Sequence, residues 1–180
     1  MAQLPEFVQN KIYCEFLFSS FLSNFRETFK IMKNVNGRES QMTWEDSSYR
    51  EFMLAILSHL EPRFEKKGTV LFEELQEISE VIFIGKGTVD IGYEINRQRR
   101  FVMRYTNKIV MGAYNCTFNK RAIFIYRCKT DCEGYFIRKE NWVNLVTMDP
   151  EIERFIKKNV TIDYEHNIKF KVLKVKEVHI

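Results

Sequence analysis

Short apolar, β-branched runs punctuated by glycine fill the middle of this chain, and apolar stripes at helical spacing flank them on both sides. From Arg63 to Ile137 the pattern predicts strands over 69–72, 81–84, 88–93, 101–105, 122–127 and 134–137. Ile109-Val110-Met111 adds a further short strand. The sharpest signal is Val81-Ile82-Phe83-Ile84-Gly85-Lys86-Gly87-Thr88-Val89-Asp90-Ile91-Gly92-Tyr93. Two apolar runs around Gly85-Lys86-Gly87 predict a β-hairpin. The even spacing of the strands suits a small barrel or sandwich.

Upstream, Pro5 suits a first helical position, and Phe7, Val8, Ile12, Phe16 and Leu17 recur at helical spacing. After Ser19-Ser20, the residues Phe21, Phe25, Phe29 and Met32 continue at a strict four-residue step. This aromatic stripe reads as packing surface, part of it an interface. Asn34-Val35-Asn36-Gly37 is a stop signal followed by a polar loop to Gln41. Thr43 with Asp46 resembles a capping box. Tyr49, Phe52, Met53, Ile56, Leu57 and Leu60 then form one helical face, ended by Pro62. Downstream, Trp142, Leu145, Val146 and Met148 predict a helix, and Asp149-Pro150 caps another carrying Ile152, Phe155 and Ile156. The tail carries two patterns. Ile156, Val160, Tyr164, Ile168 and Val172 keep a helical step, while Phe170-Lys171-Val172 and Lys174-Val175-Lys176 alternate as a strand does.

A hydrophobic content of 45% over 180 residues, with 16 phenylalanines, supports one packed domain with a helical extension. The net charge of +4 is unevenly spread: Glu94 to Glu140 holds eleven Lys/Arg against four Asp/Glu. That basic middle fits either an anionic partner or a solvated face. Cys14, Cys116, Cys128 and Cys132 form no C-x-x-C, and no signal peptide or membrane-spanning run precedes them, so free thiols in a reducing compartment are expected. His59, His166 and His179 lie outside the strands or at their edge. No Ser-His-Asp, Cys-His, paired-carboxylate or metal-ligand motif stands out, so no enzyme and no metal site is expected. The residues after Pro150 leave room for one long helix and a tail rather than a helix-turn-helix, and no nucleic-acid partner is expected.

Chemistry concentrates in Gly112-Ala113-Tyr114-Asn115-Cys116-Thr117-Phe118-Asn119-Lys120-Arg121-Ala122. Glycine permits close backbone approach to a ligand, and an arginine returning on the next strand could clasp a phosphate. An ordinary loop with a surface Arg-Lys pair fits the spacing as well.

The order of these segments resembles the cyclic nucleotide-binding domain family. Leu60-Glu61-Pro62-Arg63-Phe64 with Gly68 is similar to the family's first roll strand and turn. Val81–Ile84 with Gly87 and Val89 is similar to its next hairpin. Met111-Gly112-Ala113 stands where the family has Phe-Gly-Glu, and Arg121-Ala122 where it has Arg, Ser or Thr, then Ala. The resemblance implies an α+β fold: N-terminal helices, a double-stranded β-roll (a jelly-roll-like barrel) and C-terminal helices. It divides the chain into a helical linker over 1–46, the roll with flanking helices over 47–168, and a tail over 169–180. It also implies cAMP or cGMP as ligand, contacted by Gly112, Ala113, Tyr114, Arg121 and Ala122, with Lys120 as the alternative phosphate ligand. The family's ribose-binding glutamate is Ala113 here, and the hydroxyl residue after the arginine is missing.

Within the family the chain resembles the cytosolic C-terminal region of voltage-gated and cyclic nucleotide-gated cation channels. Trp44–Arg50, Gly92–Asn96 and Phe136–Trp142 are similar to ciliate potassium channels. This implies a module at the cytosolic face of a membrane, joined to the pore-forming part of the same polypeptide and tetrameric in the full channel. Ether-à-go-go-like channels suggest an alternative, in which the alternating tail Lys169–Lys176 enters the roll as a strand and places Phe170 or Leu173 near Gly112. A nucleotide-sensing subunit free of any channel is the remaining alternative.

Overall fold

The computed structural model describes residues 4–178; His179 lies outside them. Among the described residues nine helical segments and ten strands follow in order. At the N-terminus lie α1 (Glu6–Lys11), the π-wound α2 (Ile12–Leu17) and α3 (Ser19–Asn24). The hairpin β1 (Met32–Val35) and β2 (Arg38–Gln41) precedes α4 (Ser47–Ser58). The roll comprises β3 (Glu61–Glu65), β4 (Val70–Phe72), β5 (Glu80–Lys86), β6 (Thr88–Ile95), β7 (Gln98–Thr106) and β8 (Ile109–Met111). After α5 (Ala113–Phe118) come β9 (Ile125–Cys128) and β10 (Cys132–Arg138). The chain closes with α6 (Lys139–Val146), α7 (Pro150–Ile162), the π-wound α8 (Asp163–Lys169) and α9 (Phe170–Val178). This is the α+β arrangement expected, with helices on both sides of a roll.

Two four-stranded antiparallel sheets face each other, in the orders β3-β10-β5-β8 and β4-β9-β6-β7. The predicted hairpin over Val81–Tyr93 is instead a corner. β5 pairs with β10 and β8, whereas β6 pairs with β7 and β9. The chain crosses between sheets at Gly87, whose φ is +125°, and a Cβ there would meet Asp131 O and Cys132 Sγ at 2.7 Å. β9 and β10 make the second crossing beside it, through Lys129–Asp131. A strand pattern with a glycine pair reads alike for a hairpin and for a corner, because local sequence does not say which sheet receives the second strand. The true hairpin is β6–β7, closed by Asn96 and Arg97, both left-handed at φ 51° and 61°.

Pro62 lies within β3, an edge strand, where a missing N–H costs no ladder bond. Asp46, rather than Thr43, occupies the cap of α4; its carboxylate accepts from Thr43 N at 2.8 Å and pairs with Lys33. Asp149 caps α7 as predicted, accepting from the N–H groups of Glu151 and Ile152 at 2.8 and 3.1 Å.

The aromatic stripe Phe21–Met32 is not one helix. α3 ends at Asn24, the chain turns, and Met32 opens β1. The bend brings Phe21, Phe25 and Phe29 onto one ring, Phe83 of β5, at centroid distances of 5.1, 5.2 and 5.9 Å. Trp142 of α6 joins them, 6.3 Å from both Phe29 and Phe83. Asn36-Gly37, with φ 53° and 78°, makes the β1–β2 turn where a polar loop was expected. Both strands are mostly exposed and polar, so no alternation advertised them. Residues Phe21 to Ile31 thus share the roll's core.

Phe29→Ala is expected to cost about 3–5 kcal/mol, the range for emptying a fully buried aromatic site. Urea unfolding measures it. A loss below about 1 kcal/mol would show that this segment is not part of the folding unit.

Candidate functional site

The loop after β8 turns at Gly112. Its left-handed φ of +78° and the Glu80 carbonyl 2.5 Å from any added Cβ leave room for no other residue. α5 follows, anchored by a relay: Trp142 Nε1–H donates to Thr117 Oγ1 at 2.8 Å, and that hydroxyl donates to Ala113 O at 2.7 Å. Asn119, left-handed at φ 51°, ends α5 and turns the chain away. Asn115 Nδ2 donates to Arg121 O at 3.0 Å, and Ala122 exchanges backbone bonds with Leu75 and Gln76.

These bonds decide where the expected ligand residues stand. Gly112, Ala113 and Tyr114 line a cavity of about 420 Å³ beside the roll. Lys120 and Arg121 are exposed, Ala122 is buried elsewhere, and none of the three lines that cavity. The structure therefore brings together the backbone half of the expected site and not its basic half.

The opposite wall is α7 and α8. The four-residue step Ile156, Val160, Tyr164, Ile168, Val172 is buried throughout, so the tail is helix and not strand. Phe170 and Leu173, one or other of which the tail-as-strand alternative places inside the roll, are 64% and 36% exposed. Helical geometry places residues four apart on one face, and the buried step leaves Phe170 and Leu173 on the other. Tyr164 stacks on Tyr114 with centroids 4.3 Å apart and planes 9° from parallel. Tyr105 O–H donates to Asn167 O at 3.2 Å, and the Lys176 ammonium sits 5.0 Å from the Tyr93 ring. Tyr93, Tyr105 and Tyr126 belong to one face of their sheet, because the ladder sets Val89 opposite Tyr105 and Ile91 opposite Tyr126. The C-terminal helix thus lies along the tyrosine face of β6, β7 and β9.

Asp163 opens the π-wound turn; such turns recur at functional sites. Its Oδ1 accepts from Asn167 Nδ2 at 2.8 Å. Burial raises its pKa above the ordinary carboxylate value. Burial also pushes the Tyr105 phenol up to about 12 and the Tyr126 and Tyr164 phenols well up, so all three stay protonated near neutral pH. Cys116, behind α5, is likewise pushed up to about 12 by burial and is a poor nucleophile. Cys14, Cys116, Cys128 and Cys132 are all free thiols. Among the described residues no three His, Cys, Asp or Glu side chains cluster to hold a metal, and no helix is long and apolar enough to cross a membrane.

A second contact ties this helix to the N-terminal segment. Asn159 Nδ2 donates to Thr28 O at 3.1 Å and to Lys30 O at 2.8 Å. The sequence marked Tyr164 through its helical step but gave no sign of Asp163, Asn159, Asn167 or Tyr126. Each is an isolated polar or aromatic residue whose neighbours come from distant elements.

No family model and no curated protein matches the sequence. Solved structures match the fold. A protein of Silicibacter pomeroyi DSS-3, named as a cAMP-binding regulatory protein, is 22% identical over 66% of this chain and 55% of its own, with a TM-score of 0.54. The regulatory domain of Toxoplasma gondii PKA, solved with cAMP, is 11% identical over 79% of this chain and 46% of its own, with a TM-score of 0.56. A cyclic nucleotide-binding-like protein of Brucella abortus bv. 1 str. 9-941 is 16% identical over 57% of this chain and 88% of its own, with a TM-score of 0.50. The chain spans about half the length of the first two structures. At these identities the likeness is one of architecture: a roll with flanking helices, the fold of cyclic nucleotide-binding domains.

Proposed function

We propose that the chain is a non-enzymatic regulatory module of the cyclic nucleotide-binding fold whose own C-terminal helix occupies the place of a ligand. One observation carries this reading: Tyr164 is stacked on Tyr114, beside Gly112 and Ala113, with Ile168 and Val172 buried behind it. The absence of a carboxylate at Ala113 and the outward position of Arg121 support it, because a cyclic phosphodiester would find neither acceptor nor clamp at the positions where the family resemblance puts them. The module has two states, helix docked and helix released. Asn159 transmits the difference to the Thr28–Lys30 turn and so to the N-terminal helices.

The effector we propose is the pore of a cation channel, potassium-selective, at the cytosolic face of a membrane and tetrameric with its copies. The sequence resemblance supports this. So do Phe7, Phe16 and Leu17, which α1 and α2 leave 73%, 73% and 58% exposed, as a segment that packs against a partner would.

Calorimetric titration of the whole chain with cAMP and cGMP tests the ligand half. No saturable heat is expected up to about 1 mM nucleotide. Micromolar binding that is lost in Arg121→Ala and kept in Lys120→Ala would overturn it and make the chain a nucleotide sensor. Tyr164→Ala tests the switch. Amide exchange over 163–178 is expected to speed up at least about tenfold while β5 and β6 stay protected. Equal exchange in variant and wild type would show that the stack does not hold the helix.

Asn159→Ala tests the transmission. The amides of 25–31 are expected to exchange faster with the helix still docked. Unchanged exchange there would assign Asn159 no coupling role.

A further inference from the structure

We propose that the cavity beneath α8 binds a small organic cation, a protonated amine or amidine carried on an aromatic ring, with Asp163 as its counter-ion. This rests on the reading above only in taking α8 as docked. At about 420 Å³ the cavity has the size of a small-molecule site.

Its charge distribution selects the ligand. Glu27, Lys30 and Lys158 line it but are exposed, at its rim. Asp163 is the charged lining residue withdrawn from solvent. Among the described residues no Lys, Arg or His nitrogen forms an ion pair with it within 4 Å, and its side chain accepts from the Asn167 amide. Lys171 acts on Asp163 only through its field and forms no ion pair with it; a carboxylate partly out of water without a contacting cation is costly, and a cation entering from solvent reduces that cost.

The walls suit such a guest. Tyr114, Tyr126, Tyr164 and Phe155 supply aromatic surface, and ring faces attract cations. Among the described residues the hydroxyls of Tyr114, Tyr126 and Tyr164 make no hydrogen bond, so they remain free for a ligand's polar atoms. An anion would meet the Asp163 carboxylate inside the cavity, and the lining lysines, Lys30 and Lys158, stand at its exposed rim.

Protons compete with the cation for Asp163. The titratable groups around it are Tyr105 of β7, Lys108 of the next turn, Tyr114 of α5, Tyr126 of β9, Glu27 and Lys30 from the N-terminal segment, Lys158 of α7, Tyr164 of α8 and Lys171 of α9. Tyr105, Tyr126 and Tyr164 stay neutral, because burial raises their phenol pKa. Amine affinity therefore rises with pH through the elevated Asp163 pKa. Without ligand the sign is reversed. A raised folded-state pKa gives stability that is present below the unfolded carboxylate pKa and lost as pH rises through the folded one. Asp163→Asn escapes that loss, so it should melt higher than wild type at neutral pH, and the gain should vanish in acid.

The experiment titrates the whole chain calorimetrically with tryptamine and benzamidine, and with indole-3-acetate as the anion of matched shape, between about pH 4 and pH 8. Saturable amine binding is expected, at least about tenfold weaker in Asp163→Asn and weakening as pH falls, with no indole-3-acetate binding. Three results would each overturn the proposal: no amine binding at about 10 mM, equal affinity for Asp163→Asn, or indole-3-acetate binding as tightly as tryptamine. If the variant does not fold, the wild-type profile decides, since affinity independent of pH excludes Asp163. Amide exchange on the unliganded chain separates the two readings. An unprotected 163–178 refutes the docked helix, whereas amine failure with that segment protected refutes the cation site alone.

Discussion

Everything in this fold depends on what gathers around Phe83. Its ring, fully buried in β5, receives Phe21, Phe25 and Phe29 from the N-terminal segment and Trp142 from α6. Aromatic rings bury large areas and prefer tilted and edge contacts, so one such cluster fixes both position and orientation of what it joins. Trp142 extends the constraint through its indole N–H to Thr117, and Thr117 to Ala113. The entry of α5, and with it one wall of the cavity, is thereby registered to the N-terminal segment. The same segment offers the Thr28 and Lys30 carbonyls to Asn159. Core packing and the route from helix to N-terminus are therefore one structure.

The elements of the roll were legible because short apolar, β-branched runs bounded by glycine are too brief for helices and suit strands. Every predicted strand overlaps an observed one, although the 122–127 segment is regular only from Ile125. What the period does not carry is partnership. Val81–Ile84 and Thr88–Tyr93 are adjacent in sequence and lie in different sheets, because Gly87 packs so tightly on Asp131 and Cys132 that the chain turns a corner there. The step Phe21, Phe25, Phe29, Met32 misled in the opposite direction. Four-residue spacing predicts a helix where a bent chain also gathers its rings on one partner, and only the partner, Phe83, distinguishes them.

The site was half legible. Gly112 and its neighbours were found because a left-handed turn against the Glu80 carbonyl demands glycine. The basic half was not, because the turn at Asn119 and the pairing of Ala122 with Leu75 and Gln76 steer Lys120 and Arg121 outward. Residue type gives chemistry, but direction comes from backbone bonds that no spacing encodes. The tail carried two periods at once. The helical one prevailed because it buries Tyr164, Ile168 and Val172 together, whereas the alternating one would have buried Phe170 or Leu173 on a single short segment.

A helix tethered to the roll holds an advantage over any diffusing occupant. Its effective concentration is set by the chain and reaches the order of millimolar for short connections. An external ligand making equal contacts must exceed that level before it displaces the helix. The π turn is itself part of the arrangement. Its wider winding lets Asp163 line the cavity while Tyr164, the next residue, stacks on Tyr114.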